Sequence, residues 1–261
     1  MVRKILRKPT FLGLGAAKCG TTFLADLLSS HPQVHIPVRK ELHYFDSEHP
    51  KSHFFSWLRY LRHFSSDATY SGEITPSYML RNEYMARINQ RLPESKVFMI
   101  IRNPYERSWS HYCHAIKHFS KKKYRDLGYP TEAFAFREAL ELELPRVLNR
   151  KYHPRHHTYI SKSLYSYSID VATSLFGERL KVFFFDDLVR NPEKLAGKVL
   201  KHCCETELED VDLCPSNSSS RNSQAQGSIP ENAISLLQEY FEPEIDRLEA
   251  CLGVNLNSWR V

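Results

Sequence analysis

Between an apolar run, Thr10-Phe11-Leu12-Gly13-Leu14, and an amphipathic stretch lies Gly15-Ala16-Ala17-Lys18-Cys19-Gly20-Thr21-Thr22. This order reads as strand, phosphate loop and helix N-terminus, the launching turn of a parallel α/β sheet. Successive backbone N–H groups and the helix dipole attract an anion there, Thr21 and Thr22 add hydroxyl donors, and Lys18 supplies a mobile point charge. In a Walker A loop the lysine follows the last glycine directly. Here Gly20 is followed by Thr21 and Lys18 lies two residues earlier, which disfavours a nucleoside-triphosphate loop.

Two further segments carry matching chemistry. Lys96-Val97-Phe98-Met99-Ile100-Ile101 is nearly all apolar and suits a strand buried on both faces. It runs into Arg102-Asn103-Pro104, with Pro104 placed for a first helical turn and Trp109 and Tyr112 three apart on one face. Arg102 and Ser110 are expected to converge across this corner. A guanidinium fork and a hydroxyl suit a phosphate monoester, where a charge-assisted contact contributes about 1.5–3 kcal/mol. The other segment, Arg39-Lys40-Glu41-Leu42-His43-Tyr44-Phe45-Asp46, follows the extended Val34-His35-Ile36-Pro37. Alternation along an extended chain puts Glu41 and His43 on one side, and either could serve as a general base.

The order Lys-x-Gly-Thr-Thr resembles the 5′-phosphosulfate loop of sulfotransferases that use 3′-phosphoadenosine 5′-phosphosulfate (PAPS). The resemblance assigns Ala17, Lys18, Cys19, Gly20, Thr21 and Thr22 to that end of the donor. Arg102 to Ser110 is similar to the family's Arg-x-Pro-x-x-Arg-x-x-Ser segment, which implies that Arg102 and Ser110 hold the 3′-phosphate. Lys40 to Phe45 looks like the Lys-Glu-x-His-Phe-Phe segment of the heparan-sulfate type and of many bacterial members, with Tyr44 replacing the first phenylalanine. In the heparan-sulfate type the glutamate takes the acceptor proton, a role that falls here to Glu41, with His43 as alternative base or as a group orienting Glu41. Weaker likenesses are Ser71 to Tyr78, Ser163-Leu164-Tyr165 near the adenine side, and Val182 to Leu188. Arg221 and Asn222, in a polar turn-rich loop, are further cofactor-binding candidates. One departure is Ile74, where heparan-sulfate enzymes usually carry a lysine.

The likeness runs from about Thr10 to Trp259. It implies a single P-loop-like α/β domain over residues 10–261, with a central parallel β-sheet flanked by helices and a basic extension over residues 1–9. The reaction it implies moves a sulfonate in line from PAPS to an acceptor hydroxyl, foremost on a carbohydrate, leaving adenosine 3′,5′-bisphosphate (PAP) and needing no metal. Lipid, phenol and small-metabolite hydroxyls stay open as acceptors, as do a small-molecule kinase and a non-catalytic binder of anionic glycans.

Charge and cysteine usage bound the rest. The formal net charge is +6, with basic clusters at 117–125 and 146–157 around a helical stretch, Thr131 to Asn149. Those clusters would draw in an anionic saccharide or the donor, and no nucleic-acid recognition motif accompanies them. The basic N-terminus lacks an apolar segment long enough for a signal or a membrane span, so the expected location is cytoplasmic. A Golgi luminal domain freed of its anchor would read the same. Cys19, Cys113, Cys203, Cys204, Cys214 and Cys251 lack paired metal-ligand spacing and are read as reduced thiols, a Cys203 or Cys204 bridge to Cys214 being the alternative. Cys19 is read as loop packing, Asp186-Asp187 as turn and cap residues, and Pro230 to Leu252 as a helix interrupted at Pro243 that packs across the sheet edge. Nothing in the sequence sets the oligomeric state.

Overall fold

A computed structural model describes residues 6–47, 54–119, 134–148, 158–204 and 227–261. The chain divides into two compact units, residues 1–101 with 168–222, and residues 102–167 with 223–261.

The first unit is built on five parallel strands in the order β2-β3-β1-β4-β5. These are β1 (Phe11–Gly15), β2 (Val34–His35), β3 (Tyr70–Ile74), β4 (Lys96–Ile101) and β5 (Leu180–Phe184). The central β1 is buried throughout, and β4 is buried from Val97 onward, as their apolar runs predict. β5 is only half-buried because it lies at the edge, and its apolar run ends one residue early: Phe185 already begins a helix. From β1 the chain crosses to β2 and β3 on one side and then to β4 and β5 on the other, so β1 and β4 flank the point where the winding reverses. In such sheets the crevice beyond the strands' carboxyl ends is where ligands bind.

Around the strands lie α1 (Thr21–Ser29), α2 (Phe54–Leu61) and α3 (Asn82–Arg91), followed later in the chain by α8 (Phe185–Arg190) and α9 (Pro192–Cys204). α1 turns Phe23, Leu24, Leu27 and Leu28 inward at helical spacing. Asp186 and Asp187 occupy the first turn of α8, where carboxylates favour the helix dipole. Cys203 and Cys204 are buried at the end of α9, and burial pushes both thiols up, Cys204 to about 12. Cys214 lies outside the described residues.

The second unit contains α4 (Pro104–Phe119), α5 (Phe136–Glu141), α6 (Leu144–Leu148) and α10 (Glu231–Leu252); α7 (Ser166–Phe176) begins in it. Two expectations are corrected here. The described part of 131–149 is two short helices rather than one, because the chain turns at Leu142 and Glu143 and Pro145 enters the first turn of α6. α10 runs unbroken through Pro243. One missing backbone donor is outweighed by a face that buries Ala233, Leu236, Leu237, Phe241, Ile245 and Leu248. Glu143, itself buried, accepts hydrogen bonds from the N–H groups of Tyr159, Ile160 and Ser161 at 2.6–2.8 Å. Among the described residues no helix is long and apolar enough to cross a membrane.

Candidate active site

The glycine loop lies where the sequence puts it. Gly20 precedes α1 with φ 74°, a left-handed conformation that glycine adopts at little cost. A Cβ there would also come within 2.6 Å of Leu188 Cδ2 in α8. Lys18 shares the left-handed region at φ 71°. The Ala16 N–H donates to the Ile100 carbonyl at 2.8 Å, tying the loop to β4. Cys19 is fully buried, its Sγ 3.8 Å from the Ala17 carbonyl oxygen, consistent with a packing role. The N-terminus of α1 has no side-chain cap and no acidic residue in its first turn. Its early N–H groups are thus free of the usual internal acceptor and suit an anionic one.

The segment from Lys40 to Asp46 meets this loop, though by a different route from the one expected. Glu41 and His43 are not in an extended chain: their φ angles are 65° and 53°, so simple alternation does not govern their directions. They still come together, with His43 Nε2 at 3.6 Å from Glu41 Oε2. Three residues that pattern reasoning did not single out complete the cluster. Lys40 Nζ lies 3.1 Å from Thr22 Oγ1, 3.4 Å from Thr21 Oγ1 and 3.2 Å from Glu41 Oε1, and so bridges the loop threonines and the carboxylate. Asp46 Oδ2 is 2.7 Å from His43 Nδ1 and also accepts from the Ser77 hydroxyl.

Glu73 is the third. It is buried in β3, and its carboxylate accepts from Tyr60 at 2.6 Å, Thr75 at 2.8 Å, Tyr78 at 3.1 Å and the Leu42 N–H at 3.2 Å. Tyr78 Oη in turn accepts from the Tyr44 N–H at 3.1 Å. Glu73 thereby holds the strip on both sides of His43, once directly and once through Tyr78. Arg87 clamps the far end with two hydrogen bonds of 3.0 Å to the Phe45 and Ser47 carbonyls. Ile74 is fully buried against Gly13, so a core residue fills that position while Lys40 brings an ammonium to the loop.

The charges sort as the contacts dictate. The hydrogen bond from Asp46, then that from Glu41, raises the His43 pKa to about 10 against the opposing effect of burial. His43 is therefore an imidazolium at neutral pH. For Glu41 burial pushes up, but His43 and Lys40 together outweigh it and hold the carboxyl below its ordinary value. Burial lowers Lys40, with Glu41 working against it. The result is an ionised carboxylate between two cations, beside an uncapped helix N-terminus.

In the second unit Pro104 opens α4 and Trp109 stacks on Tyr112 at 5.4 Å, as the spacing predicts. The Arg102 guanidinium is buried and bonds Glu106 Oε2 through Nε at 3.0 Å and Nη2 at 2.8 Å. Its hydrogen-bonded neighbour is thus one turn along the helix, whereas Ser110 lies buried a further turn on. The Tyr165 hydroxyl donates to the Arg102 carbonyl at 3.0 Å and fixes the corner's backbone. Arg221 and Asn222 lie outside the described residues, as do most of the two basic clusters.

Comparison with known proteins points to one family. A family profile described as "Sulfotransferase domain" matches residues 8–211. The membrane-associated sulfotransferase kil1 of Dictyostelium discoideum is 32% identical over 145 residues, 54% of this chain and 30% of its own length. Human heparan sulfate glucosamine 3-O-sulfotransferase 6 is 32% identical over 135 residues, 51% of this chain and 36% of its own. The match thus spans about a third of these relatives. A solved sulfotransferase from Alicyclobacillus acidocaldarius superposes with a TM-score of 0.75 at 26% identity, over 98% of this chain and 100% of that one. The family match covers most of the chain, which therefore belongs to the sulfotransferase domain family.

Proposed function

We propose that the enzyme uses PAPS as donor and sulfates a hydroxyl of a carbohydrate. The observation that carries this reading is the continuous chain of contacts from Thr21 and Thr22 through Lys40 to Glu41, His43 and Asp46. It sets an ionised carboxylate next to an anion-attracting loop, the juxtaposition that a base-assisted transfer from an anionic donor requires. The relatives named for heparan sulfate glucosamine favour a sugar acceptor.

The donor supplies an activated sulfonate. The loop amides from Ala17 to Thr22 and the α1 dipole bind its 5′-phosphosulfate, and Lys18 offsets charge on the departing phosphate oxygen. Lys40 adds a second cation at the same place. Glu41 accepts the proton of the attacking hydroxyl as the new S–O bond forms opposite the one that breaks. His43 cannot accept that proton while it is already charged; it orients Glu41 and is itself held by Asp46. Family resemblance gives the 3′-phosphate to Arg102 and Ser110, with Tyr165, Arg221 and Asn222 as further donor contacts.

Incubation with radiolabelled PAPS and an acceptor panel tests the reading, with label expected on a saccharide hydroxyl. Glu41→Gln should lower turnover by about 10²–10⁴ while PAP affinity measured by calorimetry stays unchanged. Full activity in that variant would remove Glu41 from the base role, and label confined to non-sugar acceptors would overturn the carbohydrate assignment.

A further inference from the structure

Beyond Gly253 the chain runs back along α10 and meets the corner that carries Arg102, all within the second unit. Arg260 fastens this return. Its guanidinium meets three carboxylates of α10: Glu242 Oε2 at 2.8 Å through Nη1, and Asp246 Oδ1 at 2.8 Å and Glu249 Oε2 at 2.7 Å through Nη2. Glu249 also accepts from the Leu256 N–H at 2.6 Å, so the return is tied at both ends. A single surface ion pair contributes little, but a planar fork shared among three carboxylates is a network with a defined geometry. It fixes where the neighbouring Trp259, which is buried, can lie.

Trp259 presents its carbonyl oxygen to the corner, where it accepts from Asn103 Nδ2 at 3.1 Å in a buried contact. The other end of that amide is also held: Asn103 Oδ1 accepts from the Tyr105 N–H at 2.9 Å and caps α4. Serine or aspartate would cap the helix as well, but an amide can accept at Tyr105 and donate to Trp259 at once. Tyr105 adds a tie to the same network, its hydroxyl donating to Glu242 Oε1 at 2.8 Å and its ring meeting Phe241 edge-on at 5.1 Å. On the other side, Tyr165 donates to the Arg102 carbonyl, and the next residue, Ser166, donates its N–H and hydroxyl to Glu244 at 2.7 and 2.8 Å. Hence α10 reaches the Arg102 backbone by two routes, one through Trp259 and Asn103 and one through Ser166 and Tyr165.

Side chains that recognise a ligand have to be held within about 0.5 Å of their working position. We propose that Asn103 and Arg260 are positioning residues for the donor: they hold the corner so that the Arg102 guanidinium meets the 3′-phosphate. They act through Trp259 and Arg102 rather than by touching the nucleotide. The inference rests on the reading above that gives the 3′-phosphate to Arg102, and it adds a remote device that sets how well PAP is told from a nucleotide without that group.

The test measures binding of PAP and of adenosine 5′-monophosphate to the full chain by calorimetry. Asn103→Ser keeps a neutral cap for α4 but is too short to reach the Trp259 carbonyl. It should weaken PAP about five- to tenfold and leave the monophosphate within about twofold. Arg260→Ala should do the same, and the double variant should be no weaker than the worse single one, because both act through one strap. Unchanged PAP affinity in Asn103→Ser, an equal loss for both nucleotides, or losses that multiply in the double variant would each overturn the proposal. Asn103→Ser leaves the α10 ion pairs intact and decides alone if Arg260→Ala lowers the thermal melt. A native protein that binds both nucleotides equally would instead remove the 3′-phosphate assignment itself, which separates that failure from failure of the strap.

Discussion

Asp46 and Glu41 flank one imidazole, and this sets how the enzyme should respond to pH. The folded-state value of His43 lies above the ordinary one, so its charge is complete at acid and neutral pH and is lost as pH climbs through about 10. Glu41 is held below its ordinary value, so it stays ionised until pH falls well into the acid range. Turnover is expected to be flat from about pH 6 to about pH 9 and to decline toward pH 10. A profile of kcat/KM that instead rises through the ordinary histidine range would make a neutral His43 the base. The resemblance to the Lys-Glu-x-His segment picked out Glu41 and His43, and the structure brings their side chains within 3.6 Å of each other, though not by the alternation expected of an extended chain. The reach of Lys40 to Thr22 was not legible in the sequence, since it joins residues 18 apart; nor was the left-handed backbone at Glu41 and His43, a conformation that non-glycine residues adopt rarely and no periodicity announces.

Strands β1 and β4 could be read from their apolar runs, but β3 could not. Its middle is Ser71-Gly72-Glu73, and Glu73 is buried because two phenols, a threonine hydroxyl and an amide satisfy it. A satisfied carboxylate in a core strand leaves no hydrophobic signature. Gly13 shows how closely these strands meet: a Cβ there would lie 2.8 Å from both Ile74 Cγ2 and Phe98 Cζ. Gly13→Ala should therefore destabilise the protein by about 1–3 kcal/mol, read as a lower urea midpoint. An unchanged midpoint would mean that β3 and β4 part more easily than their packing implies. The passage of α10 through Pro243 eluded local rules because tertiary burial overrides propensity, whereas the break between α5 and α6 follows a local signal, Pro145 in the first turn of the second helix.

For the whole molecule, the alternation of runs and loops was enough to predict a parallel sheet, but the order β2-β3-β1-β4-β5 is set by pairings between residues far apart in sequence. That order leaves β2 and β5 outermost. β2 has only two residues, Val34 and His35, and β5 presents Lys181 to solvent midway along a half-buried strand. A stub and a protruding ammonium make poor templates for cross-molecular strand addition, which needs a long, flat, uncharged border. Concentrated solutions should accordingly resist fibril nucleation, with thioflavin fluorescence staying at baseline through prolonged agitation. Lys181→Val, which uncharges that margin while leaving the glycine loop intact, should shorten the lag before fluorescence rises.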